Sequence, residues 1–250
     1  MALFRAALSN ELEKLYKKKK VLLALILSVL VVIIGQLIIL VLRSGFGLRG
    51  VGSLEFSILI LSIVVNTILP LFTALMAIDC FSGEYANNSI RITLTRPVSR
   101  FKIFTAKVTA IGIFILSNLL LLFILSTIAG FIFNTSSATI STFGHTFLAY
   151  LVSVFPLLVL ALAIVLLTNI LKSGTLVFFI SIILFLALKA GGVLFSQYSN
   201  LFITSYLDWY NLWLISSLPF VKIIRLALLM LGYAIMLFTA GFYLFDKKEL

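Results

Sequence analysis

Charged residues are scarce in this chain. Only 11% of its 250 residues are Asp, Glu, Lys or Arg, while 62% are hydrophobic, and the mean hydropathy is +1.25. A soluble domain of this length needs far more polar surface, so the composition indicates that lipid surrounds most of the chain. Acids are rarer than bases, at eight against nineteen. In a membrane protein this excess is typical of basic loops that face anionic lipid rather than of a nucleic-acid-binding surface.

The residues that build metal and nucleotide sites are also missing. A single cysteine, Cys80, excludes an internal disulfide framework, and with the single histidine, His145, it gives no metal-ligand spacing. No G-x-x-x-x-G-K-[ST] phosphate loop is present. The one G-x-G-x-x-G pattern, at 45–50, follows an apolar run rather than the strand that a dinucleotide fold requires. We therefore expect no catalytic residue, no metal and no cofactor bound by this chain.

Six segments are long and apolar enough to cross a bilayer, which takes about 20 mainly apolar residues. The predicted spans are approximately 21–42, 57–78, 108–132, 148–171, 175–194 and 221–245. The fourth and fifth are joined by only a few residues, which predicts a tight helical hairpin. We predict an all-α membrane protein in which residues 1–250 form a single transmembrane domain of six helices.

The distribution of basic residues predicts the orientation. With the N-terminus inside, fourteen of the nineteen Lys and Arg residues lie on the inner side. Because cytoplasmic loops are enriched in Lys and Arg, both termini are expected inside. The expected location is the plasma membrane of a bacterial cell.

The first twenty residues are predicted to form an amphipathic helix in the inner interface, with Glu11 at the edge of its apolar face. The residues assigned to this interfacial helix are Phe4, Leu8, Leu12, Leu15, Tyr16, Lys17 and Lys18. The alternative is a basic flank that only enforces the orientation.

The segment 195–220, on the predicted outer side, is too long for a plain turn and is rich in aromatic residues. These are Tyr198, Tyr206, Trp209, Tyr210 and Trp213. Such a set is typical of the headgroup level of a membrane. The segment is expected to form short interfacial or re-entrant helices, or an aromatic anchor belt with no other role.

The stretch from Glu84 to Lys107, on the predicted cytoplasmic side, is polar, basic and interrupted by a proline. Within it, residues 89–96 alternate between polar and apolar side chains, which favours a strand. No partner strand is evident, and an unpaired strand leaves its backbone groups without hydrogen bonds. The alternative is a short helix that begins near an Asn or Ser cap and ends before Pro97. Ser99 would then cap the next helix, which continues through Lys107 into the third span. We predict the helix.

This stretch resembles the cytoplasmic loop of ABC-2 type permeases, including the bacitracin-resistance-like exporters. In that family an acidic residue follows the second span, a segment similar to G-T-L-R-x-L-L-T-x-P-x-S-R comes next, and a lysine opens the third span. Asn88-Ser89-Ile90 stands where G-T-L is usual, while the positions that match are Glu84, Arg91, Leu94, Pro97, Ser99, Arg100 and Lys107.

The resemblance implies a permease without an ATPase of its own, working with a pair of separate ATPase subunits that supply ATP and Mg. It implies a coupling helix between spans two and three that docks on that ATPase. The coupling positions are Glu84, Asn88, Ser89, Arg91, Leu94, Arg96, Pro97, Ser99, Arg100 and Lys107. A second chain, identical or related, would complete the transport path.

Apolar spans without acids favour an amphipathic or lipid-like substrate over a small ion. A lipid or a peptide antibiotic would fit, and the latter would confer antibiotic resistance. Two alternatives stay open. One is a non-transporting sensor or assembly factor that docks the same ATPase, and the other is an ion-coupled carrier.

Overall fold

The computed structural model describes residues 2–46, 51–86, 99–134, 139–171, 173–215 and 217–247. Across these ranges the regular structure is helical, with nine α-helices and two 3₁₀ segments. The α-helices are α1 (Ala2–Tyr16), α2 (Lys19–Phe46), α3 (Ser53–Asn66), α4 (Ile68–Ala86), α5 (Arg100–Phe133), α6 (Ile140–Val152), α7 (Val154–Ile170), α8 (Gly174–Leu194) and α9 (Phe220–Asp246). The 3₁₀ segments are Ser196–Leu201 and Ile203–Trp213.

The prediction of an all-helical membrane protein is confirmed. Within the described ranges, α2, α5, the continuous unit Ile140–Ile170, α8 and α9 are each long and apolar enough to span a membrane. The bent pair α3–α4 raises the number from five to six if it counts as one span. Each of the six predicted segments therefore has a helical counterpart, and each counterpart begins before the predicted boundary.

The second predicted span, 57–78, is not one straight helix as the hydropathy suggested. It is broken at Thr67, where α3 and α4 meet at an angle of 43°. Pro70 explains the break, because it lacks an N–H for the carbonyl of Asn66, and its ring crowds that carbonyl. The side chains of Asn66 and Thr67 donate hydrogen bonds to the backbone carbonyls of Ser62 and Ile63. These bonds satisfy carbonyls at the end of α3.

The helices differ strongly in how much protein surrounds them. About half of the most apolar stretch of α5 and of the α6–α7 unit is buried, at 50% and 56%, against 11–17% for α2, α8 and α9. In the packing, α7 lies between α4 and α9, and α5 packs along α3. We conclude that α5 and α7 form the centre of the domain, while α2, α8 and α9 present apolar faces to lipid.

Polar contacts join the central helices. The Tyr150 hydroxyl on α6 donates a 2.7 Å hydrogen bond to the carbonyl of Ser57 on α3 and lies 3.0 Å from Ser126 Oγ on α5. Ser28 on α2 donates to Asn118 on α5 at 2.9 Å. Hydrogen bonds of this kind link helices where apolar packing cannot distinguish protein from lipid tails.

The backbones of α3 and α5 approach each other closely at Gly130. A Cβ atom added to Gly130 would lie 2.2 Å from the carbonyl oxygen of Ser53. Small residues permit such close approach of membrane helices.

The aromatic segment 195–220 folds against the bundle instead of lying wholly at the lipid surface. Its second 3₁₀ segment contacts α3, α6, α7, α8 and α9. Tyr206, Trp209 and Tyr210 are buried in protein, whereas Tyr198 is 57% exposed. The segment forms two 3₁₀ helices, and three of its rings pack inside the domain. Its interfacial or re-entrant placement and its role as an aromatic anchor belt stay predictions.

Candidate functional site

The N-terminal helix α1 packs along α5. Leu15 is fully buried, and Leu8 and Leu12 pack against the hydrophobic core, so much of the predicted apolar face contacts protein. The Tyr16 ring is 43% exposed, and its hydroxyl lies 2.6 Å from Ser117 Oγ on α5. The role of α1 as an interfacial helix stays a prediction, but its leucine face joins it to the third span.

The remaining positions assigned to the interfacial helix lie at its edges. Phe4 is half-buried and Lys17 is exposed. Lys17 bonds to Glu13 one turn earlier, and this hydrogen bond holds the pKa of the Glu13 carboxyl below its ordinary value. Both partners are exposed, so the pair contributes little to holding α1 in place.

Lys107 is buried where α1, α4 and α5 meet. Its Nζ atom lies 2.9 Å from Glu11 Oε2 on α1 and donates a 2.9 Å hydrogen bond to the carbonyl of Cys80 on α4. The Lys107 and Glu11 side chains are only 1% and 5% exposed. The Nζ atom also lies 5.9 Å from the centre of the Phe81 ring, within the range of a cation–π contact. One ammonium group thus ties three helices together.

A second set of ionic contacts lies next to the first. Asp79 on α4 accepts from Lys20 at 2.8 Å, and its other carboxylate oxygen lies 3.7 Å from Lys18 Nζ. Lys18 also donates to the backbone carbonyl of Asp79 at 3.2 Å. Because Lys18 and Lys20 flank the start of α2, these contacts fix the junction of α1 and α2 against α4. We call Glu11, Lys18, Lys20, Asp79 and Lys107 the ionic layer.

Two further predicted coupling residues begin α5. Ser99 is the residue before the helix, as expected, but its side chain makes no capping hydrogen bond. Its carbonyl accepts from the backbone N–H of Ile103 at 3.2 Å. Arg100 reaches α9, where it donates to the backbone carbonyl of Asp246 and lies 3.9 Å from its carboxylate.

The rest of the predicted coupling residues lie beyond what the structure describes. Glu84 belongs to α4, but its side chain is outside the described part of the chain. The proposed coupling helix over 89–95 falls within the undescribed range 87–98. The coupling positions in that range are Asn88, Ser89, Arg91, Leu94, Arg96 and Pro97.

The ionic layer lies close to both ends of this range. Helix α4 continues six residues past Cys80 to Ala86, or about 9 Å at 1.5 Å per residue. Lys107 lies seven residues after Arg100, or about 10 Å along α5. Each end of the range 87–98 therefore lies about two helical turns from the ionic layer. A force applied between Ala86 and Ser99 would be transmitted to this layer through α4 and α5. Through this layer it would reach α1 and α2, because charged contacts join these helices to α4 and α5.

Sequence reasoning placed Lys107 at the start of the third span but missed its partner. Glu11 lies three residues after Leu8 and four before Leu15, which are the spacings at which side chains share one face of a helix. A helix that buries those leucines against protein also buries Glu11, and a buried carboxylate needs a cation. This signal indicates that a partner is required, but only tertiary structure identifies it as Lys107.

The family model described as "ABC-2 family transporter protein" matches residues 7–192, which include most of α1 and the whole ionic layer. The search of curated proteins finds no match for this chain.

Proposed function

Because the chain belongs to the ABC-2 family of transporter proteins, we propose that it is the permease subunit of an ATP-binding cassette exporter. In this proposal it moves an amphipathic or lipid-like molecule outward across the cell membrane. ATP and Mg are bound and used by a separate pair of ATPase subunits. Two permease chains, identical or related, form the path.

The ionic layer is the observation that carries this proposal. A permease moved by an external ATPase must transmit displacement from its docking segment to its membrane helices. Here the helices on both sides of 87–98 are joined to α1 and α2 by charged contacts that include a buried ion pair. In such a pair the two side chains hold each other in place, because separating them leaves a charge buried without its partner.

The distribution of basic residues also supports coupling to an ATPase on the cytoplasmic side. Orientation with the N-terminus inside places 87–98 and the ionic layer on the cytoplasmic side. That is the side on which ATP is available. An exposed arginine in a docking segment would contribute more to orienting a partner than to the stability of this chain.

The first test is association with an ATPase. The chain should co-purify with an ATP-binding cassette ATPase encoded next to it. Charge reversal at Arg96 and Arg100 together, or Arg91→Pro and Leu94→Pro, should abolish that association. The matched control is charge reversal at Lys222, an exposed residue that begins α9 on the predicted outer side, and association should persist in it.

Transport is the second test. Vesicles that contain both proteins should move a labelled amphipath only when ATP and Mg are present. Normal ATPase association without ATP-dependent movement would instead identify a sensor or assembly factor. Movement by the isolated chain under an ion gradient would identify a carrier, and retained association in the Arg96 and Arg100 variants would disprove the coupling role.

A further inference from the structure

A cavity of about 290 Å³ opens between α4, α7 and α8, beside the second 3₁₀ segment. Its walls are mainly apolar, and they include Ala74, Leu160, Ala163, Ile164 and Phe185. Its volume is about twice that of an apolar cavity of roughly 150 Å³ that stays dry and takes up benzene. It lies just below the range for small-molecule sites, roughly 300–1,000 Å³. The space therefore suits one slender apolar group.

Two hydroxyl groups interrupt the apolar lining. Ser181 on α8 and Thr204 in the second 3₁₀ segment both line the cavity, and they are 6% and 2% exposed. In the described part of the chain, neither Ser181 Oγ nor Thr204 Oγ1 has a hydrogen-bond partner. Buried hydroxyls in proteins are nearly always hydrogen-bonded. A polar atom of a bound molecule would satisfy either hydroxyl.

A charged cluster adjoins the cavity at the break between α3 and α4. The Asn66 side chain lines the cavity, and its amide nitrogen donates to Asp208 at 2.8 Å. The Asn66 carboxamide oxygen accepts a hydrogen bond from Lys189. The cavity thus has apolar walls along the spans and hydrogen-bonding groups toward one end, which is the polarity of an amphipathic molecule.

We propose that this cavity binds the alkyl chain of a single-chain amphipath. Its headgroup lies at the Lys189–Asn66–Asp208 cluster, and an oxygen atom next to the headgroup accepts a hydrogen bond from Thr204. The volume suits one alkyl chain, and a second chain would not fit in the same space. That this ligand is the transported cargo rests on the proposed function. The binding site itself belongs to the isolated chain.

Photolabelling of the full chain tests the site. The probe is a lysophosphatidylcholine with a 12-carbon chain and a diazirine at the chain end, added to the protein in phosphatidylcholine nanodiscs. Labelled peptides are identified by mass spectrometry. Labelling should concentrate on α7 and α8 near Leu160 and Phe185, and excess unlabelled lysophosphatidylcholine should suppress it. If the label were instead spread evenly over the lipid-facing surfaces, including those of α2 and α9, the proposal would be overturned.

Two variants distinguish the cavity from the surrounding lipid. Ala163→Phe fills the cavity and should reduce the labelling of α7 and α8 to the level of α2. The control, Ala187→Phe, adds the same ring to an exposed position of α8 that does not line the cavity and should label as the unmodified chain does. Equal labelling in the two variants would disprove the site.

Thr204→Val tests the polar end while keeping the shape of the side chain. It should raise the concentration of unlabelled competitor needed for half-suppression by about 2- to 10-fold, the loss expected for one hydrogen bond. Its melting temperature without ligand should not fall, because no protein partner of the hydroxyl is removed. Unchanged competition in this variant would refute the role of the hydroxyl.

The failures of the two proposals can be told apart. Because photolabelling needs no ATPase, absent labelling with intact ATPase association would reject the site and leave the proposed function standing. Intact site labelling in a chain that binds no ATPase would reject the proposed function alone. If the ligand is cargo, ATP should lower its occupancy in vesicles that contain both proteins, whereas a resident lipid would be retained.

Discussion

Glu11 and Lys107 place opposite charges 2.9 Å apart in a part of the protein that water hardly reaches. They are separated by 96 positions in the chain, and their contact fixes α1 against the third span. Taking charges out of water is costly, so the contact favours the fold only while both charges are present. This condition makes the pair a sensitive point for testing how α1 is attached.

We expect Glu11→Gln to destabilise the protein strongly. The variant removes a counter-charge from Lys107 while leaving the ammonium group buried, a change that typically costs about 3–5 kcal/mol. The measurement is the free energy of unfolding or the melting temperature of the purified chain in detergent. Glu13→Gln is the control, because it breaks an exposed pair on the same helix, and its melting temperature should equal that of the unmodified chain. Equal melting of Glu11→Gln and Glu13→Gln would contradict the buried pair.

The double variant Glu11→Leu/Lys107→Met should recover most of the stability lost in Glu11→Gln. Apolar residues of similar size that replace a buried ion pair are often neutral or stabilising by about 1–4 kcal/mol, because no charge remains buried. The same unfolding measurement applies. A double variant that is less stable than Glu11→Gln would show that the ion pair stabilises the fold more than apolar packing does at the same place.

Substitution of Gly130 should reveal how tightly α3 and α5 are packed. In Gly130→Ala the new methyl group would meet the backbone of Ser53, which cannot move as a side chain can. We expect a loss of about 1–3 kcal/mol, as in other overpacked sites. In the control, Gly144→Ala on α6, the methyl group meets nothing within 4 Å. It should gain up to about 1 kcal/mol from helix propensity. The melting temperature should fall in Gly130→Ala and rise in Gly144→Ala. A shift of both melting temperatures in the same direction would contradict the close approach of α3 and α5.

The membrane spans could be predicted from the sequence because runs of apolar residues follow directly from the thickness of the bilayer. The break at Thr67 was missed for a related reason. Hydropathy averaged over a window does not register one proline, and the geometric effect of Pro70 depends on its missing N–H rather than on its apolar character. The position of a proline in an apolar segment indicates where the helix can break, and mean hydropathy does not record that position.

The candidate site was only partly predictable. The motif indicated Lys107 as functional, but its partners Glu11 and Cys80 lie on other helices, and their contacts depend on how the helices pack. The same holds for the cavity, whose lining combines Asn66, Ser181 and Thr204 from three separate segments. Uncharged polar residues that show no functional pattern within their own segments form a site only when tertiary structure brings them together.

Arg100 allows a test of whether coupling depends on its charge or on its contact with α9. Its pair with Asp246 is partly exposed, at 37% and 54%, and long, at 3.9 Å, so the pair should contribute little to stability. If Arg100 contacts the ATPase, Arg100→Glu should weaken ATPase association, whereas Asp246→Asn should leave it intact. Pull-down of the ATPase with each purified variant measures this.

Asp246→Asn is a suitable control because it removes the carboxylate but keeps the Asp246 backbone carbonyl that accepts from Arg100. Both variants should melt close to the unmodified chain, since neither leaves a buried charge. Equal weakening of association by Arg100→Glu and Asp246→Asn would mean that Arg100 acts by positioning the end of α9. Weakening by Arg100→Glu alone would show that association depends on the arginine and not on its ion pair with the Asp246 carboxylate.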